Sequence, residues 1–264
     1  MIFRCLISLL FGFSLIFSVN ANVVCEKPLL TGWSASWEPL VMGSFDNPTG
    51  FDKDILQATI DAAGCSLRQA KLAVPWARQL NSIKTGQLDI ITGASKTTER
   101  EKYAYFTEPY RYESVTIFVL AEKLSEFTSI TFKEWITKPV VLGLEYDNFY
   151  GEEVKSILSV YPEKIYKVKM NEQNIQKLRS HRIDAYIGFV PAEPIRLNKM
   201  GLQEEIVPVS HFKINTGQVH FMLSKKSNNQ QVVGRLNEGL KEIKNNGVYE
   251  QILRKYVEKY GAIQ

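Results

Sequence analysis

The sequence predicts an α/β protein built as two similar lobes, and three observations support this fold class. Apolar segments of strand length alternate with amphipathic segments of helix length, which is typical of α/β proteins with mostly parallel strands. One helix–strand pattern occurs twice, about 95 residues apart, which indicates two lobes on the same plan. With 264 residues, of which 45% are hydrophobic, the chain is long enough for two medium-sized cores.

Capping and helix-breaking residues set the ends of the predicted helices. Pro75 opens the second helix, because proline suits the first helical turn, and Gly86 closes it. Thr98 and Glu101 have the spacing of a capping box, so a third helix is predicted to begin at Thr98. The predicted helices are Asp52–Ala63, Pro75–Gly86, a short one from Thr98, Phe149–Val160, Glu172–Ser180, Pro194–Lys199, one containing Val233 to Ile243, and Tyr249–Lys259.

Short apolar runs between these helices are predicted to be strands. Each run has the length of a buried strand and is bounded by polar or turn residues. The predicted strands are Pro28–Trp33, Leu88–Thr92, Val115–Ala121, Val140–Leu144, Ile165–Lys169 and Ile183–Ile187.

The repeated pattern also indicates where a ligand would bind. Residues Leu80–Gly93 match Ile175–Gly188, each with a helix end, a tight connection, an apolar residue, an aspartate, a short strand and a glycine. Ligands of open α/β sheets bind beyond the carboxyl ends of the strands. We therefore expect Thr92–Ser95 of one lobe to face Gly188–Val190 of the other across a cleft.

Charge and motif content argue against several classes of function. The formal net charge is +4, and no basic tract is dense enough for a nucleic-acid surface. The three histidines lack the spacing of metal ligands, and the sequence contains no phosphate-binding, dinucleotide or nucleophile-elbow motif. We expect no metal, no cofactor and no nucleic-acid partner.

Residues 1–21 are predicted to be a cleaved signal peptide. Arg4 gives a positive start, Cys5–Val19 is almost wholly apolar, and Ala21 ends a plausible cleavage site. The alternative is an N-terminal membrane anchor, but the apolar run is shorter than the roughly 20 residues that a spanning helix needs. The mature protein is therefore expected to be secreted.

Two cysteines remain after this cleavage, Cys25 and Cys65. In an oxidising compartment an even pair indicates a disulfide bond. Two buried thiols, or a lipid anchor on Cys25, are the alternatives.

Five motifs, taken in order, carry a resemblance to a known family. They are Gly50-Phe51-Asp52-x-Asp54-Ile55, Gly86-x-Leu88-Asp89, Ser95-x-Thr97-x-Glu99-Arg100, Phe106-Thr107-x-Pro109-Tyr110 and Gly247-x-Tyr249-x-x-Ile252-x-x-Lys255-Tyr256. The ordered set resembles the family 3 bacterial extracellular solute-binding proteins, the polar amino acid type that serves ABC importers. The resemblance extends over nearly the whole mature chain.

The resemblance implies a type II periplasmic-binding-protein fold, with two lobes joined by crossover strands near Val115–Leu120 and Val219–Leu223. Lobe 1 would comprise residues 22–115 and 218–264, and lobe 2 residues 116–217. In such a fold Cys25 and Cys65 precede neighbouring parallel strands, which agrees with a disulfide. The implied protein is a periplasmic monomer that binds a small solute and meets the membrane component of an ABC importer or a receptor.

Arg100 is the first candidate for the binding site. Its planar guanidinium suits a carboxylate bidentately, which a lysine would not match. The resemblance implies that Arg100 binds the α-carboxylate of a ligand, with Ser95 and the backbone N–H of Gly93 or Thr92 adding hydrogen bonds. The alternative is a charge on the helix surface.

Further candidates line the two sides of the predicted cleft. Trp37 lies where the family has an aromatic wall, although core packing is the alternative. Trp76 is a wall or core residue, and Arg78 is a second anion contact or a solvated charge. In lobe 2, Tyr146 and Asp147 lie between a strand and a helix, where N–H donors would face the cleft, or where Asp147 or Asn148 simply caps the helix.

The sequence departs from the family at Phe189. Amino acid binders have an aspartate at this position, which pairs with the ammonium group of the ligand. A buried ammonium without a counter-charge is costly, so Glu145, Asp147 or Glu193 would have to replace it, or the ligand lacks an α-amino group. A carboxylate-bearing or aromatic solute is thus an alternative to a standard amino acid.

We therefore predict a non-enzymatic binding protein whose lobes close over a small carboxylate-bearing solute. One alternative is an enzyme similar to secreted dehydratases of the same fold, for which Glu193 or Glu145 would supply the acid. The other is a sensory module that works without an importer.

Overall fold

The alternation of strands and helices is present in the computed structural model, which describes residues 25–34, 37–44, 47–71 and 75–261. The predicted signal peptide, residues 1–21, lies outside the described residues. Among the helices of the described residues, none combines the length and the apolar character needed to cross a membrane.

Twelve strands are formed by the described residues. They are β1 (Leu29–Thr31), β2 (Met42–Ser44), β3 (Asn47–Thr49), β4 (Leu67–Gln69), β5 (Ile90–Ser95), β6 (Ala104–Phe106), β7 (Arg111–Leu120), β8 (Leu142–Glu145), β9 (Ile165–Val168), β10 (Ala185–Phe189), β11 (Ile206–Pro208) and β12 (Ile214–Ser224). Apart from the small β2–β3 pair, they belong to one mixed sheet.

Nine α-helices accompany these strands in the described part of the chain. They are α1 (Phe51–Ala62), α2 (Trp76–Thr85), α3 (Thr98–Glu101), α4 (Phe132–Trp135), α5 (Glu152–Val160), α6 (Asn171–Arg179), α7 (Glu193–Lys199), α8 (Gln230–Asn245) and α9 (Val248–Tyr260). Helix α2 ends at Gly86 as predicted, because Gly86 has φ +80° and takes the left-handed conformation that glycine favours.

The sheet order confirms the two-lobed α/β fold. The strands follow the order β4-β1-β5-β12-β7-β10-β8-β9, with β6 beside β12 and β11 beside β7. Strands β4, β1 and β5 are parallel, and so are β10, β8 and β9. The remaining pairs of this sheet are antiparallel and all involve β7 or β12. These two long strands are therefore the crossovers between the halves.

The apolar cores lie on either side of the crossovers. One large cluster joins α1 to α8 and α9 and so combines the two ends of the described chain. Another extends from Val115 to Phe212 and packs β7, β8 and β10 against α5. The predicted limits of the lobes, at residues 115/116 and 217/218, fall within β7 and β12.

The internal repeat gives each half the same local structure. The side chain of Asp89 accepts a hydrogen bond from the backbone N–H of Leu30 at 2.8 Å. The side chain of Asp184 accepts one from the N–H of Val141 at 2.7 Å. Each aspartate thus fixes the start of its strand to the neighbouring strand.

The predicted disulfide is present. Cys25 and Cys65 are bonded, with their Cα atoms 5.3 Å apart, and they precede the parallel pair β1 and β4. The bond closes a separation of 40 residues. Chain-entropy arithmetic gives such a bond about 4 kcal/mol of stabilisation.

The predicted cap of α3 is wrong by one residue. Thr97, not Thr98, is the N-cap, and its side chain accepts a hydrogen bond from the N–H of Arg100 at 3.3 Å. Thr97 has an extended backbone, as an N-cap requires, whereas Thr98 is already helical. The shift matters because this turn sets the position of Arg100.

Candidate functional site

A cavity of about 210 Å³ lies between the two halves of the molecule. Thr92 of β5 and Phe189 of β10 both line it, so the two repeat units face the same space. Its walls also include residues that the sequence did not single out. Those with polar or charged side chains are Ser34, Gln79, Lys169, Asn171, Glu172 and Arg196. Glu145, Asn148 and Glu193, which the sequence did indicate, are also on the walls.

Four aromatic side chains line the cavity, namely Trp33, Trp37, Trp76 and Phe189, and Trp37 is close to two of the others. The ring of Trp37 lies 5.5 Å from that of Phe189 in a T-shaped arrangement and 6.5 Å from that of Trp76. Phe189 in turn stacks on Tyr150, with ring centroids 5.9 Å apart. Trp37 and Phe189 thus meet across the two lobes, and Phe189, where the resemblance implies an aspartate, makes an aromatic contact.

Gly93 makes room for Trp37. Gly93 has φ +75°, and a Cβ at this position would lie 2.7 Å from the indole ring of Trp37. Its backbone N–H donates to the hydroxyl of Tyr110 at 2.9 Å. In this arrangement the N–H is therefore engaged within the protein, and the contribution of Gly93 is the close approach of Trp37.

Arg100 is buried, so the surface-charge alternative does not apply. Its Nη1 donates to the carbonyl of Ser95 at 2.9 Å, and its Nη2 donates to the carbonyl of Asp147 at 2.8 Å. The guanidinium lies 5.4 Å from the ring centroid of Trp76. Arg100 and Asp147 line a second cavity adjoining the first, which shares Glu145 and Asn148 with it. Burial lowers the pKa of Arg100.

Asp147 is the point where lobe 2 touches this part of lobe 1. It has φ +62°, a left-handed conformation that costs energy for a residue with a Cβ. Its carbonyl accepts both the bond from Arg100 and one of 3.2 Å from Nε1 of Trp76. The backbone of Asp147, rather than its carboxylate, therefore makes the contact.

Tyr146 and Arg78 stand apart from the cavity. The side chain of Tyr146 is exposed, and its backbone N–H pairs with the carbonyl of Val168. Arg78 is exposed on α2. Neither residue is on the walls of the cavity between the lobes.

The lobe 2 wall contains a buried carboxylate network around Glu193. Its carboxylate accepts hydrogen bonds from the hydroxyl of Tyr186 at 2.8 Å, from Nδ2 of Asn171 at 3.1 Å and from Nη1 of Arg196 at 2.9 Å. Burial raises the pKa of Glu193, while Arg196 and the two neutral donors oppose this effect. The sequence indicated Glu193 but not its partners, because they come from α6, β10 and α7.

Glu145 is the second carboxylate of this wall. It is the last residue of β8 and is partly buried beside the cavity. Burial raises the pKa of Glu145 to about 7, and Arg196 only partly opposes the rise. Among the described residues, no hydrogen bond or ion pair reaches its carboxylate.

A buried ionic cluster lies beneath Trp37 and was not foreseen. Arg111 donates to both carboxylate oxygens of Asp52, at 2.8 and 3.1 Å, and to Glu113 at 2.9 Å. Its guanidinium is 6.0 Å from the ring centroid of Trp37. Burial disfavours the charged form of Arg111 and so lowers its pKa. The carboxylates of Asp52 and Glu113 outweigh this effect and raise the pKa of Arg111 well above its ordinary value. The cluster anchors the start of β7 below the binding cavity.

The model of the family described as bacterial extracellular solute-binding proteins, family 3, matches residues 29–259. The chain belongs to this family. The match confirms the resemblance that the five motifs carry.

Relatives of this solute-binding protein include transport proteins. It is 30% identical over 214 residues to the arginine-binding periplasmic protein of Mannheimia haemolytica, covering 79% of this chain and 81% of the relative. It is 25% identical over 261 residues to the putative ABC transporter arginine-binding protein 2 of Escherichia coli, covering 96% and 97%. A solved ancestral arginine-binding protein bound to arginine superposes with a TM-score of 0.72 at 22% identity, over 87% of this chain and 97% of that structure, which shows the fold.

Proposed function

We propose that this protein captures a small carboxylate-bearing solute, an amino acid or a related compound, by hinge closure and delivers it to an ABC importer. The observation that carries the proposal is the cavity whose walls come from both lobes. A solute held there would contact Trp37 and Phe189 together and would therefore favour the closed form over the open one.

The membrane component of the importer would bind the closed form of the protein in preference to the open form. The two relatives are, by their names, a periplasmic binding protein and a protein of an ABC transporter, and this supports the same setting here. The predicted signal peptide and the disulfide are consistent with it, since disulfides persist in the periplasm and not in the cytosol. We propose a periplasmic, monomeric protein that binds without turnover.

Arg100 is proposed to hold the solute's carboxylate. In the solute-free protein, Nη1 of Arg100 donates to the carbonyl of Ser95 and Nη2 donates to the carbonyl of Asp147. A carboxylate is a stronger acceptor than a neutral carbonyl, so it would replace Asp147 at Nη2. Thr92 already lines the cavity and would add a second contact.

A thermal-shift screen tests the proposal. The mature protein would be heated with the standard amino acids, with simple carboxylic acids and with polyamines. We expect a carboxylate-bearing compound to raise the melting temperature by several degrees. A ligand at a concentration of about 100 times its Kd stabilises the folded state by about 3 kcal/mol. Arginine and histidine are the first compounds to try, because relatives carry those names. Stabilisation by no member of the panel would contradict the proposal.

Binding without turnover needs a separate measurement. The bound compound would be incubated with the protein for hours and the supernatant followed by NMR. An unchanged spectrum is expected, and loss of the compound with appearance of a product would favour the enzyme alternative.

A further inference from the structure

We propose that Glu145 is the counter-charge for a cationic group of the solute and makes the site selective for cations over their neutral isosteres. The inference rests on the proposed function and extends it from the carboxylate end of the solute to the other end. The cationic group meant here is the one at the far end of the solute's side chain, which is distinct from the α-ammonium group that the sequence left without a counter-charge at Phe189.

The position of Glu145 supports this role. As the last residue of β8 it lies beside β10, whose final residue is Phe189, and its carboxylate faces the cavity. Its backbone N–H donates to the hydroxyl of Tyr150 at 2.9 Å, which fixes the backbone at this point. The side chain is thereby held at the cavity wall without a bonded partner in the described chain.

The charges around the cavity leave Glu145 uncompensated. Arg196 is paired with Glu193 at 2.9 Å and with Glu172 at 3.4 Å, and Lys169 is exposed at the rim. The wall from lobe 1 has no charged side chain among its described residues. Three carboxylates therefore face two cations, and one positive charge from the solute would balance the wall.

The burial of Glu145 has a measurable consequence. A carboxylate in a partly closed site without a cation prefers its neutral form, and burial raises the pKa of Glu145 to about 7. The groups that face it are Arg196, which opposes the rise, Glu172 and Glu193, which add to it, and Tyr150 and Lys169. A bound cation would stabilise the ionised form.

The opposite wall suits a cation as well. The rings of Trp37 and Trp76 face the cavity, and aromatic faces attract ammonium and guanidinium groups. A neutral isostere would lose both the attraction of the rings and the ion pair with Glu145. The site therefore favours a solute with a carboxylate at one end and a guanidinium or ammonium at the other.

Matched pairs of compounds test this assignment. Binding of L-arginine and L-citrulline, and of L-lysine and L-norleucine, would be measured by calorimetry at pH 8 with the wild-type protein, E145Q and E153Q. Glu153 is an exposed residue of α5 outside the cavity and serves as the control. We expect the wild type and E153Q to prefer one cation over its neutral partner at least about tenfold, and E145Q to reduce that preference to within about threefold.

A pH series gives a second readout that needs no variant. Because binding requires ionised Glu145, affinity for the cation should fall about 30-fold from pH 8.5 to pH 5.5, and E145Q should flatten this dependence. Equal binding of both members of each pair, or an unchanged preference in E145Q, would overturn the assignment while leaving the proposed function in place. Binding of no carboxylate-bearing compound in the thermal-shift panel would remove both.

Discussion

Arg100 and Asp147 are joined across the lobes by a hydrogen bond of 2.8 Å, from Nη2 of the guanidinium to the backbone carbonyl. Trp76 donates to the same carbonyl from its indole nitrogen. Two donors of lobe 1 thus converge on one acceptor of lobe 2. The arrangement couples the proposed carboxylate site to the contact that brings the lobes together.

Replacing Arg100 by alanine should remove solute binding and keep the fold. The guanidinium binds the carbonyl of Asp147 in the solute-free protein and is proposed to hold the solute's carboxylate in its place, so Arg100→Ala loses both contacts. We expect the thermal shift caused by the solute to disappear. The melting temperature of the solute-free protein should fall by only a few degrees, since about 1–2 kcal/mol of hydrogen bonding is lost.

Arg78→Ala is the matched control for this experiment, because Arg78 is an exposed arginine of the same lobe that lines neither the cavity between the lobes nor the adjoining cavity that Arg100 lines. It should retain the full thermal shift. An Arg100→Ala protein that still shows the wild-type shift would remove Arg100 from the binding site.

The fluorescence of Trp37 should report the solute. Its ring lines the cavity and touches Phe189, so a solute that enters between them changes the surroundings of the indole. We expect the emission change on binding to shrink clearly in Trp37→Phe. Trp135→Phe, which changes a tryptophan buried in lobe 2 away from the cavity, should leave the change intact. Equal changes in the wild type and in Trp37→Phe would place Trp37 outside the site.

The disulfide between Cys25 and Cys65 should leave no free thiol in the mature protein. Alkylation of the denatured, non-reduced chain should label nothing, and reduction should expose two thiols. The double variant Cys25→Ser/Cys65→Ser should lose about 2–4 kcal/mol of unfolding free energy in denaturant titration. Two labelled thiols before reduction would contradict the bond.

Glu145 should make the solute-free protein less stable as pH rises. Its pKa is about 7 in the folded protein against an ordinary value of 4.5, so the folded state binds more protons between these values. Stability is then lost as pH increases from 4.5 to 7, the reverse of a salt-bridged carboxylate. We expect E145Q to be more stable than the wild type by about 1–3 kcal/mol at pH 8 and to differ little at pH 4.5.

Denaturant melts of both proteins at the two pH values measure this effect. Glu113 and Glu193 are also buried with a raised pKa, but both are present in E145Q and cancel in the difference. A difference between E145Q and the wild type that is the same at both pH values would contradict the assignment.

The cluster beneath Trp37 should be sensitive to the removal of either charge. Asp52→Asn leaves the buried Arg111 with one carboxylate in place of two, and breaking a buried pair typically costs about 3–5 kcal/mol. We expect a loss of this size in denaturant melts. Asp61→Asn, an exposed change on the same helix, should change the unfolding free energy by less than about 0.5 kcal/mol. A similar small loss for Asp52→Asn would show that the cluster is not stabilising.

Local patterns made much of the fold predictable. The helix that ends at Gly86 follows from a short stretch of sequence, because glycine favours the left-handed conformation that ends a helix. The repeat placed Asp89 and Asp184 in equivalent positions, but not their partners Leu30 and Val141, which are 59 and 43 residues away. The disulfide was predictable because the sequence has only two cysteines beyond the predicted signal peptide. Residue propensity, spacing and motif order are therefore enough to predict helix ends, the internal repeat and the cysteine pair.

The site was less predictable because its chemistry depends on distant partners. The sequence could single out Arg100. It could not show that the guanidinium of Arg100 donates to the carbonyl of Asp147, which is 47 residues away on the other lobe. The pair of Arg111 with Asp52 spans 59 residues and joins a strand to a helix. Burial, which sets the pKa of Glu145, arises only when both lobes are folded.

The core that packs α1 against α8 and α9 has a consequence for how the chain matures. Residues near both ends of the polypeptide share this apolar cluster, whereas the other large cluster draws on an uninterrupted middle stretch. During synthesis the segment from Val115 to Phe212 is complete before α8 and α9 are made, and α1 needs both of these helices for its core. A truncated polypeptide that ends before Gln230 should therefore hold one folded half and one unfolded half, which limited proteolysis would reveal.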